Sequence, residues 1–137
     1  MVFDAKALST VNLVVQALLL VTVLVAACLA RRSQLIRHCN IMRVVTAVQL
    51  LSIFSIMLPF MLGYFKHPRQ GAFQTEMLVH HVLGALVILL FVYVNLVVTG
   101  RVRVIGKLAA FMRATFVTWL LTFLLGLYLY LQIYVLP

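Results

Sequence analysis

The sequence predicts an all-α integral membrane protein, a four-helix bundle running up-down-up-down with both termini on the outer side. Three observations predict it. Of the 137 residues, 66% are hydrophobic and only 9% charged, where a soluble domain is about half apolar and a quarter charged. Four apolar runs each reach the roughly 20 residues that a helix needs to cross a hydrocarbon core. The connections between the runs are short, which makes successive helices antiparallel neighbours. No soluble fold of this length could bury so much apolar surface, so lipid is the solvent.

The runs are taken in order. The first, residues 11–30, contains "LVAAC" (Leu24 to Cys28), a string that resembles a lipoprotein cleavage box. The charge before it is weak, Asp4 against Lys6, and "RRSQLIR" follows it as a stop signal, so a retained helix is expected. The second, residues 41–65, carries Pro59, which is expected to kink its second half. The third, residues 77–99, opens on His80 and His81. The fourth, residues 115–135, ends with Tyr128, Tyr130 and Tyr134, partly assigned to an aromatic belt at the membrane surface. No low-complexity segment, separate soluble domain or internal repeat is evident, so residues 1–137 form a single transmembrane domain.

Orientation follows from the basic residues. The first connection and the start of the second run carry Arg31, Arg32, Arg37 and Arg43; the third connection and the start of the fourth carry Arg101, Arg103, Lys107 and Arg113. Only Lys66 and Arg69 in the middle connection and Lys6 at the N-terminus stand against them. Connections one and three are therefore expected in the cytoplasm. The formal charge of +9 is spread between spans and lacks the clustered basic face of a nucleic-acid binder. Cys28 and Cys39 make no CxxC motif and say little about redox compartment.

Polar residues within spans mark helix contacts, because facing lipid leaves them unsatisfied. Asn12 and Gln16 mark the first helix; Gln49, Ser52 and Ser55, with Pro59 on the same stripe, mark the second. His81, Gly84 and Asn95 mark the third, and Thr118, Thr122 and Gly126 the fourth. Interhelical packing is a sufficient account of nearly all of these.

The four histidines raise a sharper question. His38 precedes the second run on the cytoplasmic side, whereas His67, His80 and His81 all fall near the outer ends of the second and third runs. A span is about 30 Å thick, so His38 and His81 cannot share one small site. His67, Glu76, His80 and His81 could converge at the outer surface. Consecutive residues point about 100° apart on a helix, so only one of the pair faces the interior, and His81 shares the stripe of Gly84 and Asn95. His80 is expected to point to a neighbouring helix, a partner subunit or the headgroups. For His81 two readings stand level: a ligand to copper or haem, or an interfacial histidine bonded to a main-chain carbonyl.

Catalysis finds little support. Asp4 and Glu76 are the only acids, and no nucleophile sits beside a base at motif spacing. No charge lies near mid-span, where a transporter usually carries one. The chain is expected not to be an enzyme.

From Arg37 onward the order of features resembles a family of small four-helix membrane proteins linked to haem–copper oxidase biogenesis, the CtaM-like proteins. "HCNIM" supplies His38 and Met42, "GYFKH" ends on His67, and "HHVLGAL" matches through His81. "TFVTWLLTFLLGLYLY" supplies Phe116, Trp119, Gly126 and Tyr130, with Arg113 before them. The likeness covers about 100 residues. It implies a role in assembling or accompanying a respiratory oxidase in a prokaryotic plasma membrane, with membrane histidines that handle haem or copper. One departure is Leu108, where the family often has a further His; without it His38 has no histidine partner.

Three functions compete. The first is an assembly factor, or a small haem- or copper-carrying subunit of a membrane oxidoreductase complex, using His67 and His81. The second is a cofactor-free accessory subunit that stabilises a larger membrane complex. The third, a small transporter or channel, is disfavoured by the lack of a midplane polar path. In each case the partners are the lipid bilayer and, for the first two, other membrane subunits.

Overall fold

The computed structural model describes residues 5–66 and 73–136, with the backbone alone at residues 60 and 64–66. Every regular element among them is helical. They are α1 (Ala5–Arg31), α2 (Leu35–Ser52), a π-helical turn (Ile53–Met57), α3 (Leu58–Lys66), α4 (Gln74–Val98) and α5 (Leu108–Tyr134). The α2, π-turn and α3 segments follow one another without a break, so the described residues form four helices long and apolar enough to cross a membrane. The helices form two compact units, Met1–Pro68 and Arg69–Pro137.

The first unit is an antiparallel hairpin. Asn12 near the start of α1 meets Ser52 at the end of α2, and Ala26 near the end of α1 meets His38 at the start of α2. The stripe on α1 is Asn12, Gln16, Leu19, Val23 and Ala26, and its partner on α2 includes Val45, Gln49 and Ser52. Steps of four and three residues keep one seam of each helix against the other. The turn between them is only 32–34, shorter than the expected connection at residues 31–40. Ser33 closes α1 in the left-handed region at φ +61°, with Gln34 N bonded to Leu29 O and Ser33 N to Ala30 O. These are the two bonds of a Schellman cap. Helix α2 therefore begins six residues before the expected span at 41, and Arg37 and His38 lie on it rather than ahead of it.

Pro59 does not break the second span. It lacks an N–H, and its ring crowds the carbonyl four residues back, at Ser55. The chain answers with a wider turn just before it, in which Leu58 N bonds Ile53 O, five residues back. In that wider turn each residue advances less than the usual ~100°. Gln49 and Ser52 stay buried, while Ser55 and Pro59, expected on the same stripe, are exposed.

The second unit is also antiparallel, with Phe73 against Tyr128, Phe91 against Trp119 and Tyr93 against Phe111. Thr115, Trp119, Thr122 and Leu129 are the buried residues of α5, and Val87 and Phe91 those of α4. Gly100, at φ +73°, ends α4 with a second Schellman cap: Arg101 N bonds Leu96 O and Gly100 N bonds Val97 O.

Burial within each hairpin is slight. Leu18, Leu51 and Leu89 are each more than 60% exposed, and many of their apolar neighbours are exposed as well. So much contiguous apolar surface is stable only against lipid or another membrane helix. The chain is an integral membrane protein.

Candidate functional site

The histidines fall at two places, one at the closed end of the first hairpin and one near the start of α4. His38 sits in the first turn and a half of α2, where its Nδ1 lies 2.9 Å from the carbonyl oxygen of fully buried Ala26. A carbonyl only accepts, so Nδ1 carries the hydrogen. The bond joins α2 to α1 beside the turn. His38 is thereby a helix-to-helix tie, and the described residues of its unit contain no other histidine or carboxylate.

At the other place, α4 starts after Phe73, whose positive φ of 79° turns the chain into the helix. Met77 N makes the first helical bond to Phe73 O at 2.9 Å. Glu76 lies in this first turn, where a carboxylate favours the positive end of the helix dipole. That is a helix-start role, and it accounts for Glu76 without a metal.

His80 follows one turn later and packs on α5. Its Cε1 lies where a Cβ on Gly126 would come to 2.9 Å, so only glycine leaves room for the ring. The ring lies beside the main chain at Thr122, and its Nδ1 is buried with no hydrogen-bond partner among the described residues.

His81 Nδ1 lies 2.7 Å from Met77 O, one turn back on the same helix, so the hydrogen is on Nδ1 and the lone pair on Nε2. The two rings meet edge to face, with centroids 5.7 Å apart.

The face of α4 that meets α5 is a different one from the stripe of His81, Gly84 and Asn95. His80, Val87 and Phe91 fall within about 40° of one another around the helix, and this is the face turned to α5. His81 lies roughly 90° away from it. Gly84 meets nothing on a neighbouring helix, so its lack of a side chain is not explained by close approach. Asn95, expected inside, bonds its own helix through Nδ2 to Phe91 O at 2.8 Å. On α5, Thr122 is buried and bonds Thr118 O, whereas Thr118 is half-buried beside the seam of Thr115 and Trp119. Gln49 is buried in the first hairpin.

Of the expected metal or haem ligands, His67 lies outside the described residues. Among the described residues no group of three or more His, Cys, Asp or Glu side chains could hold a metal ion. A single imidazole is suited to a ligand role. His81 has its ring fixed by a main-chain carbonyl on one nitrogen and its lone pair on the other, the arrangement that metal-bound histidines adopt. His80 instead packs its ring against Gly126.

Sequence reasoning missed one residue that shapes this unit: the Tyr93 hydroxyl accepts Ile105 N at 2.9 Å and so pins the α4–α5 connection. Gly126 was singled out as a small residue without its pairing to His80, which was expected to point to a neighbouring helix, a partner subunit or the headgroups.

These features define a polytopic α-helical membrane protein built of two hairpins. No family model matches the chain, and no curated protein or solved structure does.

Proposed function

We propose that the chain is a small non-catalytic subunit or assembly factor of a respiratory electron-transfer complex, and that His81 is the residue through which it holds haem or copper. The observation that carries this reading is the 2.7 Å bond from His81 Nδ1 to Met77 O, which orients the ring and puts the lone pair on Nε2. The likeness to CtaM-like proteins, running in order through "HCNIM", "GYFKH", "HHVLGAL" and "TFVTWLLTFLLGLYLY", supplies the respiratory context. His67 is the second ligand this reading expects. Bound there, haem iron or copper would supply one-electron chemistry. The protein's own part is to fix one imidazole and to keep its neighbour His80 occupied in packing.

A second reading is favoured by one observation of its own. His38 ties α2 to α1 through a main-chain carbonyl and His80 packs on α5 at Gly126, and neither contact needs a cofactor. On that reading the chain is a structural accessory subunit of a larger membrane complex, its exposed apolar faces covered by partners.

An optical spectrum with metal analysis of the gently purified protein separates the two. The redox reading expects a reduced-haem band or stoichiometric copper that is lost in His81→Ala and in His67→Ala and kept in His38→Ala. Protein that holds no haem or copper, purified together with large membrane subunits, would replace it with the accessory reading. Connections 32–34 and 99–107 are proposed to be cytoplasmic, which a topology reporter fused after Pro137 tests by reading out on the outer side.

A further inference from the structure

The connection between α4 and α5 is not a slack loop. Gly100 at φ +73° and Gly106 at φ +87° bend its two ends, and Tyr93 Oη holds its middle through Ile105 N. Between the glycines the sequence alternates charge and grease: Arg101, Val102, Arg103, Val104, Ile105, then Lys107 after the second glycine. All of these side chains are exposed, and Ile105 is 75% exposed. Arg113, also exposed, follows on the first turns of α5.

Two facts need one explanation. The first is that the cations have no anion. Glu76 is the only carboxylate side chain among the described residues, and it stands at the far end of α4, about 33 Å away along the helix. The second is that the apolar tips have no cover, although the backbone beneath them is fixed. The connection joins two spans, so it lies at the bilayer surface, where headgroup phosphates and the first acyl carbons are stacked at the same spacing.

We propose that residues 99–107 form a binding surface for anionic phospholipid. Arg101, Arg103 and Lys107 take the headgroup phosphates, with Arg able to bond two phosphate oxygens at once. Val102, Val104 and Ile105 enter the acyl boundary between them. The turn of the first hairpin repeats the pairing on a different backbone. Arg31, Arg32 and Arg37 are exposed there beside Leu35 at 61% and Ile36 at 81% exposure. An acidic protein surface would satisfy the arginines but would leave the exposed apolar residues between the cations unexplained.

The test uses the full chain in bilayers, with spin-labelled phosphatidylglycerol and spin-labelled phosphatidylcholine as probes of the lipid held at the protein surface. Phosphatidylglycerol is expected to be preferred by about fivefold or more at low salt, the preference falling as salt is raised. The triple variant Arg101→Gln, Arg103→Gln, Lys107→Gln should lose most of it. The charge-keeping variant Arg101→Lys, Arg103→Lys should hold it, and circular dichroism should show both folded. Equal retention of the two lipids by the native chain, or a triple variant with undiminished preference, would overturn the proposal. Displacement of the lipid by millimolar inorganic phosphate, but not by chloride of equal ionic strength, would show a site for free anion instead. An acidic protein that co-purifies with the native chain and is lost from the triple variant, with no lipid preference in either, would overturn it in favour of a protein partner.

Discussion

His80 on α4 and Gly126 on α5 are fitted to each other: the imidazole lies where any side chain on Gly126 would have to go. A Cβ at Gly126 would meet His80 Cε1 at 2.9 Å, too close for both to stay in place. Gly126→Ala is therefore expected to cost about 1–3 kcal/mol, the usual penalty for overpacking a fitted contact. In a His80→Ala background the same change should cost much less, because the obstacle is gone. Reversible unfolding in mixed micelles of the two single variants and the double variant measures both. Additive costs would show that the ring and the glycine do not meet.

Asn12 and Ser52 hold the open end of the first hairpin. Ser52 Oγ donates to Asn12 Oδ1 at 2.7 Å, within both apolar spans. Hydrogen bonds between membrane helices are worth less than the medium suggests, because the separated helices find other partners. The Asn12→Ala, Ser52→Ala double-mutant cycle should give a coupling of about 0.6 kcal/mol and no more than about 1.7. A coupling near zero would mean that the pair is incidental to the seam.

Gln49 behaves differently. It is buried at 3% exposure, and its Oε1 has no hydrogen-bond partner among the described residues. A desolvated, unmatched acceptor costs about 1–3 kcal/mol, and that cost disappears with the amide. Gln49→Leu is expected to raise the unfolding temperature, in contrast to the loss expected at Ser52. If it destabilises the hairpin instead, the amide oxygen has a partner in the membrane.

These three cases show what was legible in the sequence. The helices were legible because hydropathy over a whole span is a strong signal, and the four apolar runs are the four long helices. The helix starts were not. Arg37 and Arg113 read as connection, but arginine is a good helix former that can carry its charge out to the headgroups. Helix α2 accordingly begins at Leu35 and α5 at Leu108. The face of α4 that meets α5 was not legible for a related reason. Polar residues alone, His81 with Gly84 and Asn95, were taken as the inward stripe. In lipid the contact face need not be the more polar one, since close packing and not water exclusion joins the helices. The seam is in fact His80 with Val87 and Phe91, opposite Trp119, Thr122 and Gly126. The wide turn before Pro59 is a backbone adjustment, and hydropathy carries no signal for where it begins.

Ser33 stands in a conformation that suits glycine. At φ +61° it pays the clash between Cβ and carbonyl, about 1–2 kcal/mol for an L residue in the left-handed region. Ser33→Gly removes that strain and loses part of the gain to the freer unfolded chain, about 0.4–1 kcal/mol. A net stabilisation of about 0.5 kcal/mol or more is expected. Ser33→Val, with branching at Cβ, should destabilise by more than 1 kcal/mol on the same reasoning, roughly. The unfolding midpoints of the two variants should thus lie on opposite sides of the native one. Two shifts of the same sign would rule out the capped turn at 32–34.

Tyr93 offers the most local handle on the α4–α5 connection. Its ring leans on Phe111 with centroids 4.8 Å apart, and its hydroxyl accepts Ile105 N at 2.9 Å. Tyr93→Phe keeps the ring contact and removes the acceptor, so the change reports on one bond. Global stability should fall by no more than about 0.5–1.5 kcal/mol. The amide of Ile105 should exchange with solvent deuterium up to about tenfold faster, while Val87 and Phe91 in the seam keep their protection. Every cation of the connection is retained in this variant. If its shape aligns Arg101 and Arg103 with the headgroups, the preference for phosphatidylglycerol should weaken without vanishing. If charge alone attracts the lipid, the preference should stay unchanged while the Ile105 amide exchanges faster, so the one substitution separates shape from charge.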